Sequence, residues 1–187
     1  MKKQILSEID VYYGSVDMPK HYEINREELK ASLLSSVLKD KFFKNDIVIQ
    51  NSNDFEMLNG KAFTMFNTYI LEYFLLRHKK SIFNSFNFGS IFEENESSIT
   101  KNLINKYKIS ESPDYTCIYG IDVKNGSQQL IIEYSNKRLV EQFLTVELRD
   151  NEYVIFPLTL NYFFTKNNSN KINSYMTTTY NIAHGDY

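Results

Sequence analysis

The residues of this sequence that could do chemistry are few and lie far apart along the chain. The three histidines are His21, His78 and His184, and the single cysteine is Cys117. Imidazole and thiolate groups are the usual ligands of transition metals and the usual partners in nucleophilic catalysis. Because these four residues do not share the short spacings of a zinc or redox motif, the sequence by itself predicts neither a metal centre nor a nucleophile.

A structural role explains each of these residues more simply. His78 closes a predicted helix, where a cation interacts favourably with the helix dipole. We interpret His21 and His184 as surface residues, and Cys117, which stands in an apolar run, as a buried small hydrophobic residue. The sequence also lacks the nucleophile-elbow, Walker A, dinucleotide-binding and H-E-x-x-H motifs.

Length and composition predict an ordinary globular protein. The chain has 187 residues, of which 42% are hydrophobic and 24% charged, and its net charge is −2. We expect a single domain over residues 1–187. A charge this small gives no electrostatic reason to expect nucleic acid or a membrane as partner. The first residues lack the apolar core of a secretion signal, and no stretch approaches 18 uncharged apolar residues, so we expect a cytoplasmic protein.

The first part of the chain, residues 1–114, predicts an opening strand and supporting helices. A short strand is expected at Ile9–Gly14. Asn25 followed three residues later by Glu28 is a capping box, which predicts a helix over Arg26–Lys39. A second helix is expected over Phe55–Lys80, since aromatic residues recur there at three- and four-residue spacing. That stripe is typical of core packing against a sheet rather than of a ligand site.

Two shorter elements are predicted around the second helix. Asp46–Gln50 is expected to form a strand, and Ile99–Tyr107 a short helix. The acidic run Glu93–Glu96 between the second and third helices is interpreted as a solvated loop.

Residues 115–183 predict strands throughout. Asn125-Gly126 is a hairpin signal between two apolar runs. The turn at Arg149–Asn151 separates two further strands, Gln142–Leu148 and Tyr153–Pro157. Leu158–Thr165 and Ser174–Asn181 flank the next loop. The order of strand, helices and antiparallel strands predicts an α+β fold that is mainly β.

Three features in this second part resemble the iron(II)/2-oxoglutarate dioxygenases. They are the strand Tyr153–Pro157 ending in Phe-Pro, the polar turn Lys166–Ser169 and the closing strand Met176–Asn181. The resemblance implies a double-stranded β-helix, a jelly roll of two facing sheets with N-terminal buttressing helices. It is specific only for Tyr115–Asn181.

The resemblance also implies where iron and 2-oxoglutarate would bind, and other residue types stand there. The window expected to hold the first histidine and carboxylate, residues 108–114, has Glu111 and Asp114 without a histidine. Tyr162 matches the second histidine. Tyr175 matches the arginine that would clamp 2-oxoglutarate, and Lys171 is the nearest cation. We therefore expect no metal and no cofactor, and interpret Tyr162, Tyr175 and Lys171 as candidates for a vestigial ligand pocket.

Three functional hypotheses follow. The first is a non-catalytic dioxygenase-like jelly roll that acts in protein binding or assembly, as partner of another protein or as a homo-oligomer. Its abundant Lys and Asn are typical of AT-rich genomes, which suggests a phage virion or accessory protein in the host cytoplasm. The second is an oxygenase with a displaced metal site, in which the histidines converge with Glu111 or Asp114. The third is a jelly roll that binds a sugar or another small molecule in a tyrosine-lined cavity.

Overall fold

The fold is α+β and mainly β, as the sequence predicted. The computed structural model describes residues 9–16, 24–43, 54–56, 60–98, 114–135 and 141–183. The helical elements are α1 (Arg26–Phe43), α2 (Lys61–Tyr73) and a π-helical turn (Phe74–His78) that continues α2. The strands are β1 (Tyr12–Ser15), β2 (Asp54–Glu56), β3 (Ile82–Phe92), β4 (Tyr115–Asp122), β5 (Leu130–Ser135), β6 (Glu141–Val146), β7 (Glu152–Pro157), β8 (Asn161–Phe164) and β9 (Asn173–Ile182).

The strands form two antiparallel sheets. The larger sheet has the order β1-β7-β4-β9-β3-β2, and the smaller has the order β6-β5-β8. Residues 115–182 alone supply six strands, of which β4, β7 and β9 belong to the larger sheet and β5, β6 and β8 to the smaller, as in a jelly roll of two facing sheets. The two facing sheets predicted from the second part of the chain are therefore confirmed.

One face of the larger sheet packs against the helices. The sheet contributes alternate residues of its central strands, and α2 contributes its aromatic stripe. The ring of Phe66 lies 4.6 Å from that of Tyr119, and Phe74 lies 5.4 Å from Tyr115. Each large side chain buried in this way contributes about 1.5–3 kcal/mol. The predicted packing of the α2 stripe on the sheet is confirmed.

Cys117 lies in this helix-facing layer and is fully buried. Burial raises the pKa of its thiol far above the ordinary value. The interpretation of Cys117 as a small core residue is confirmed.

The other face of the larger sheet meets the smaller sheet, and the space between the two sheets is called the interior below. Its side chains come from β3, β4, β7 and β9 on one side and from β5 and β8 on the other. The buried apolar residues of this cluster are Phe88, Phe92, Ile118, Val123, Leu130, Ile132, Leu148, Val154, Phe156, Leu158, Tyr162, Phe164 and Tyr175.

Helix α1 begins at Arg26 as predicted and runs four residues beyond the expected end, to Phe43. The Glu28 amide donates to Oδ1 of Asn25 over 3.2 Å, which confirms Asn25 as the N-cap. The Glu28 carboxylate does something that the capping box did not predict. It accepts a 3.1 Å hydrogen bond from the Ala62 amide in the first turn of α2, so one acidic residue ties the two helices together.

The second helix is shorter than predicted. Asp54–Glu56 is a strand paired with β3, and α2 begins only at Lys61. The strand β3 itself was missed, although its isoleucine and phenylalanine content is typical of strands. The opening strand lies at Tyr12–Ser15, slightly later than expected. The elements predicted at Asp46–Gln50 and Ile99–Tyr107 lie outside the described residues.

The hairpin predicted at Asn125-Gly126 is wrong. The turn is present, with Gly126 at a φ of 72°, but it joins β4 of the larger sheet to β5 of the smaller sheet. A local signal specifies the reversal of the chain without specifying which strands then pair. The strand expected from Leu158 begins at Asn161, because residues 158–160 form a turn.

Within the described part of the chain, neither helix combines the length and the apolar composition that a membrane span needs.

Two glycines of the larger sheet provide a test of this packing. A Cβ at Gly120 would lie 2.3 Å from the backbone carbonyl oxygen of Arg149, and a Cβ at Gly89 would lie 2.3 Å from a terminal methyl of Leu33. A backbone carbonyl cannot rotate away, whereas a leucine methyl can. We predict that Gly120→Ala lowers the free energy of unfolding by about 1–3 kcal/mol, as overpacking does in cores, and that Gly89→Ala lowers it by less. Urea denaturation of both variants measures the difference, and equal losses would contradict the predicted contact with Arg149.

Candidate functional site

Tyr162 and Tyr175, two of the three pocket candidates, both lie in the interior. Tyr162 is on β8, opposite Ile132 of β5. Tyr175 is on β9, between Gly120 and Ser90 of the neighbouring strands. Each side chain is only 1% exposed. The smaller sheet therefore places the first ring and the larger sheet the second, on the two walls of the same space.

A row of aromatic rings connects the two tyrosines. Tyr162 lies 5.6 Å from Phe156 and 6.5 Å from Phe164, both edge-to-face. Phe164 in turn lies 4.4 Å from Tyr175 and 4.9 Å from Phe92. Such pairs contribute about 0.5–1.5 kcal/mol beyond the burial of their area. This aromatic row, Phe156–Tyr162–Phe164–Tyr175–Phe92, runs across the interior from one wall to the other.

The Tyr175 hydroxyl joins a buried polar network at the end of the row. It donates to Oε1 of Gln128 over 3.3 Å, and the same oxygen accepts from Nδ2 of Asn173 over 3.0 Å. Nε2 of Gln128 donates to the Thr165 carbonyl over 2.9 Å. Burial raises the pKa of the Tyr175 phenol far above its ordinary value. The hydroxyl therefore stays protonated and acts as a hydrogen-bond donor.

The described residues of the interior do not fit iron(II). A non-haem iron site of the dioxygenase type needs two imidazoles and a carboxylate with open positions. The interior offers phenols and threonine hydroxyls instead, and the Tyr175 phenol stays neutral. Among the described residues, no three histidine, cysteine, aspartate or glutamate side chains are grouped closely enough to hold a metal.

His78 and Asp114 lie elsewhere. The His78 ring packs among the rings of Tyr12, Tyr73 and Phe74, at 4.5–5.4 Å, on the helix side of the larger sheet. The sheet therefore separates it from Tyr162 and Tyr175. The Asp114 carboxylate accepts a 2.6 Å hydrogen bond from the Ile182 amide, which fixes the end of β9. His21, His184 and Glu111 lie outside the described residues.

Lys171, the third pocket candidate, does not join the two tyrosines. It lies on the rim of an open cleft of about 600 Å³ between α1 and the end of the larger sheet. The wall formed by α1 presents Lys30, Leu33 and Leu34. We call this space the α1 cleft; it lies on the opposite face of the larger sheet from the interior.

A β-bulge builds the floor of the α1 cleft. Gly120 of β4 pairs with Tyr175, but the next pair is Asp122 with Ser174, so one extra residue stands in β4. The extra residue turns Asp122 away from the interior and onto the helix-facing side. Ser174 also pairs with Ile91 of β3. Asp122, Ser174 and Ile91 therefore form one row across three strands, and all three line the cleft.

Two ion pairs hold the cleft walls together. The Lys30 ammonium contacts the Asp122 carboxylate, and the Arg26 guanidinium lies 2.9 Å from the Asp150 carboxylate. These hydrogen bonds raise the pKa of Lys30 and of Arg26. Arg26 also donates to the Ile121 carbonyl at the bulge over 3.2 Å. Both pairs are partly exposed, so each contributes little to stability. They connect α1 to the end of β4 and to the turn before β7.

Sequence reasoning missed the α1 cleft. Strict alternation along β4 places Asp122 on the same face as Ile118, in the interior, and only the bulge reverses this. The one available signal was Gly120 inside a strand, since glycine there often marks a bulge.

The fold is shared with known iron(II)/2-oxoglutarate oxygenases. The α-ketoglutarate-dependent carbocyclase SnoK from nogalamycin biosynthesis superposes with a TM-score of 0.64 over 91% of this chain and 78% of its own, at 9% identity. A 2OG-Fe(II) oxygenase family protein from Burkholderia pseudomallei gives 0.61 over 91% and 84%, at 5% identity. A Trichoplax adhaerens prolyl hydroxylase, in complex with a hypoxia inducible factor peptide fragment, gives 0.59 over 91% and 82%, at 11% identity.

At these identities the likeness establishes the double-stranded β-helix fold and nothing finer. No protein-family model matches the sequence. No curated protein matches it either.

The aromatic row predicts a large stability difference between two ring deletions in the smaller sheet. Tyr162 is 1% exposed, whereas Phe143 on β6 is 59% exposed. We predict that Tyr162→Ala lowers the free energy of unfolding by about 3–5 kcal/mol, as for other buried aromatic-to-Ala changes. Phe143→Ala is the matched control and should change it by less than about 1 kcal/mol. Chemical denaturation measures both, and a small effect at Tyr162 would contradict its packed position.

Proposed function

We propose that this chain is a non-catalytic double-stranded β-helix module that acts in protein binding or assembly. The observation that supports the proposal is the aromatic row. The resemblance to the dioxygenases implies that Tyr162 and Tyr175 stand where a metal ligand and the 2-oxoglutarate clamp would be. In this chain the rings of both residues contact Phe164 instead, and Tyr175 is tied to a buried amide.

The groups around Tyr175 also argue against a metal site that a single substitution, from tyrosine back to a ligand residue, could restore. A metal centre needs room for the ion, its co-substrate and oxygen, together with second-shell groups that orient the ligands. Here the second shell of Tyr175 is Gln128, which is itself satisfied by Asn173 and Thr165. This network serves the tyrosine hydroxyl and orients no imidazole. The neighbouring groups are thus adapted to a packed interior.

The alternative function is an oxygenase with a displaced metal site. The neighbours in structure are named as an α-ketoglutarate-dependent carbocyclase and a 2OG-Fe(II) oxygenase family protein, which favours this alternative. Its described candidates argue against it, because His78 packs on the helix side of the larger sheet and Asp114 is bonded to the end of β9. His21, His184 and Glu111 lie outside the described residues, and metal loading of the purified chain tests whether any of them helps to hold an ion.

A role in a phage virion, or as a phage accessory protein in the host cytoplasm, extends the same proposal. Its support is the composition of the sequence, which is rich in lysine and asparagine.

Metal loading tests the non-catalytic part of the proposal. After anaerobic incubation with iron(II) and desalting, we predict that the purified chain retains iron well below one ion per molecule and does not convert 2-oxoglutarate to succinate. Zinc and cobalt loading serve as controls for other divalent ions. Elemental analysis and a succinate assay give the two readouts.

A matched set of variants identifies any metal that does bind. His21→Ala, His78→Ala and His184→Ala each remove one imidazole. Stoichiometric iron that is lost in two of these variants would overturn the proposal and establish the displaced site. Retention that is equal in all three would indicate adventitious binding.

Exposed apolar side chains support the protein-binding part. Leu75 and Leu76 follow each other on the π-helical turn and are 51% and 66% exposed. Tyr13 on β1 and Phe83 on β3 are exposed to a similar extent. Aromatic residues are enriched in protein interfaces, neighbouring exposed apolar side chains can mark an interaction site, and π-helical turns occur frequently at functional sites.

Self-association tests this part. We predict that the chain associates with itself at micromolar concentration and that Leu75→Asp with Leu76→Asp weakens the association at least about ten-fold, because charge is depleted from interface cores. Thr68→Asp, on an exposed position of α2, is the matched control and should leave it unchanged. Sedimentation velocity over a concentration series measures the effect. A wild-type chain that remains monomeric would contradict assembly through a second copy.

A further inference from the structure

We propose that the α1 cleft is a binding site for a small amphipathic organic anion, with a carboxylate or phosphate head and a short apolar tail. The cleft volume of about 600 Å³ lies within the range of small-molecule sites, about 300–1,000 Å³. The inference goes beyond the proposed function and does not depend on it, because the cleft and the interior lie on opposite faces of the larger sheet.

The charges of the described lining favour an anion. Its two carboxylates, Asp122 and Asp150, are neutralised by Lys30 and by Arg26. Lys124 and Lys171 also line the cleft, and neither ammonium lies within ion-pair distance of a carboxylate in the described part of the chain. Among the described residues, these two positive charges of the lining are therefore outside any ion pair. An anionic head group between them would make charge-assisted hydrogen bonds.

The floor of the cleft carries an unused hydroxyl. Ser174 is 3% exposed, and its Oγ has no hydrogen-bond partner among the described residues. A buried hydroxyl without a partner is costly, and most such groups in native proteins are satisfied by protein, water or ligand. Because Ser174 lines the cleft beside Asp122, a polar atom of a ligand that reaches the floor can satisfy it.

The remaining walls suit an apolar tail. Leu33 and Ile91 line the inner part of the cleft. Leu34 on α1 is 41% exposed and Ile172 in the β8–β9 loop is 48% exposed, so apolar side chains stand on two different walls. A tail of a few methylene groups between them would remove both from water, at about 0.8 kcal/mol for each methylene buried.

Charge and shape together define the ligand class. A polyanion such as nucleic acid would need a broad basic surface, whereas the described lining of this cleft has two ammonium groups outside any ion pair and apolar walls. A neutral sugar would leave both ammonium groups unused. A single anionic head with a short chain uses both lysines, the serine and the leucine and isoleucine side chains.

Binding of matched six-carbon probes tests the proposal. Hexanoate, hexyl phosphate, hexylammonium and hexyl glucoside share one tail and differ in the head group. Isothermal titration calorimetry in EDTA, with the full chain, excludes binding through a metal. We expect one equivalent of hexanoate or hexyl phosphate to bind, more weakly as salt is raised, and no binding of the cation or the glucoside. The stronger of the two anions identifies the carboxylate or the phosphate as the natural head group.

Three cleft variants and one control locate the site. Lys124→Gln and Lys171→Gln should each weaken anion binding roughly three-fold, and the pair roughly ten-fold, in keeping with partly exposed charges. Lys61→Gln removes the same charge at the start of α2, outside the described lining, and should have no effect. Circular dichroism checks that every variant is folded.

Ser174→Ala separates a ligand role from a structural one. If the Ser174 hydroxyl serves a ligand, its removal weakens anion binding while the melting temperature of the free protein stays the same or rises, because an unsatisfied buried group is lost. A serine that only supported the fold would give a lower melting temperature.

Three results would overturn the proposal. They are the absence of binding by both anions at millimolar concentration, wild-type affinity in the Lys124→Gln/Lys171→Gln variant, and binding of hexylammonium as tight as that of the anions. None of these results would bear on the proposal that the interior is non-catalytic, because the metal-loading experiment tests that proposal separately.

Discussion

The structure depends on the burial of both faces of the larger sheet. In β4 every residue from Tyr115 to Ile121 is buried, and in β9 every residue from Asn173 to Tyr180. Alternate side chains of these strands meet the helices on one side and the smaller sheet on the other. Neither the helices nor the smaller sheet could bury an apolar face without this shared wall. The aromatic row forms where the smaller sheet packs on one face of the larger sheet. The α1 cleft forms where α1 packs on the other face.

The sequence predicted the parts of the fold whose patterns are local and periodic. The stripe of α2, the N-cap at Asn25 and the strands of residues 115–183 are such patterns, and the structure contains them. The pairing of strands is not local. Asn125-Gly126 specifies a turn, but the choice of sheet for β5 depends on its contacts with β6 and β8. Strand β3 was missed because its residues do not alternate regularly between polar and apolar types. Phe83 and Phe86 are exposed near its start, whereas Phe88 and Phe92 are buried further along.

The candidate site residues also differ in whether the sequence could place them. Tyr162 and Tyr175 could be placed together from a resemblance in the order of strands, and the structure brings both rings to Phe164. Lys171 could not be placed, because its surroundings are assembled from α1, β3, β4 and the β8–β9 loop. The decisive feature is the bulge before Asp122, a single inserted residue that reverses the face of every residue after it. The alternation of polar and apolar residues along β4 does not reveal such an insertion.

The position of Cys117 has a practical consequence. It is the chain's single thiol, it has no exposed surface, and its raised pKa keeps it in the unreactive thiol form. A thiol reagent can reach it only when the helices separate from the larger sheet. The rate of its chemical modification therefore reports the opening of that one layer. A cysteine introduced on the surface would react far faster than Cys117. Such a cysteine could therefore be labelled selectively without removing Cys117 first.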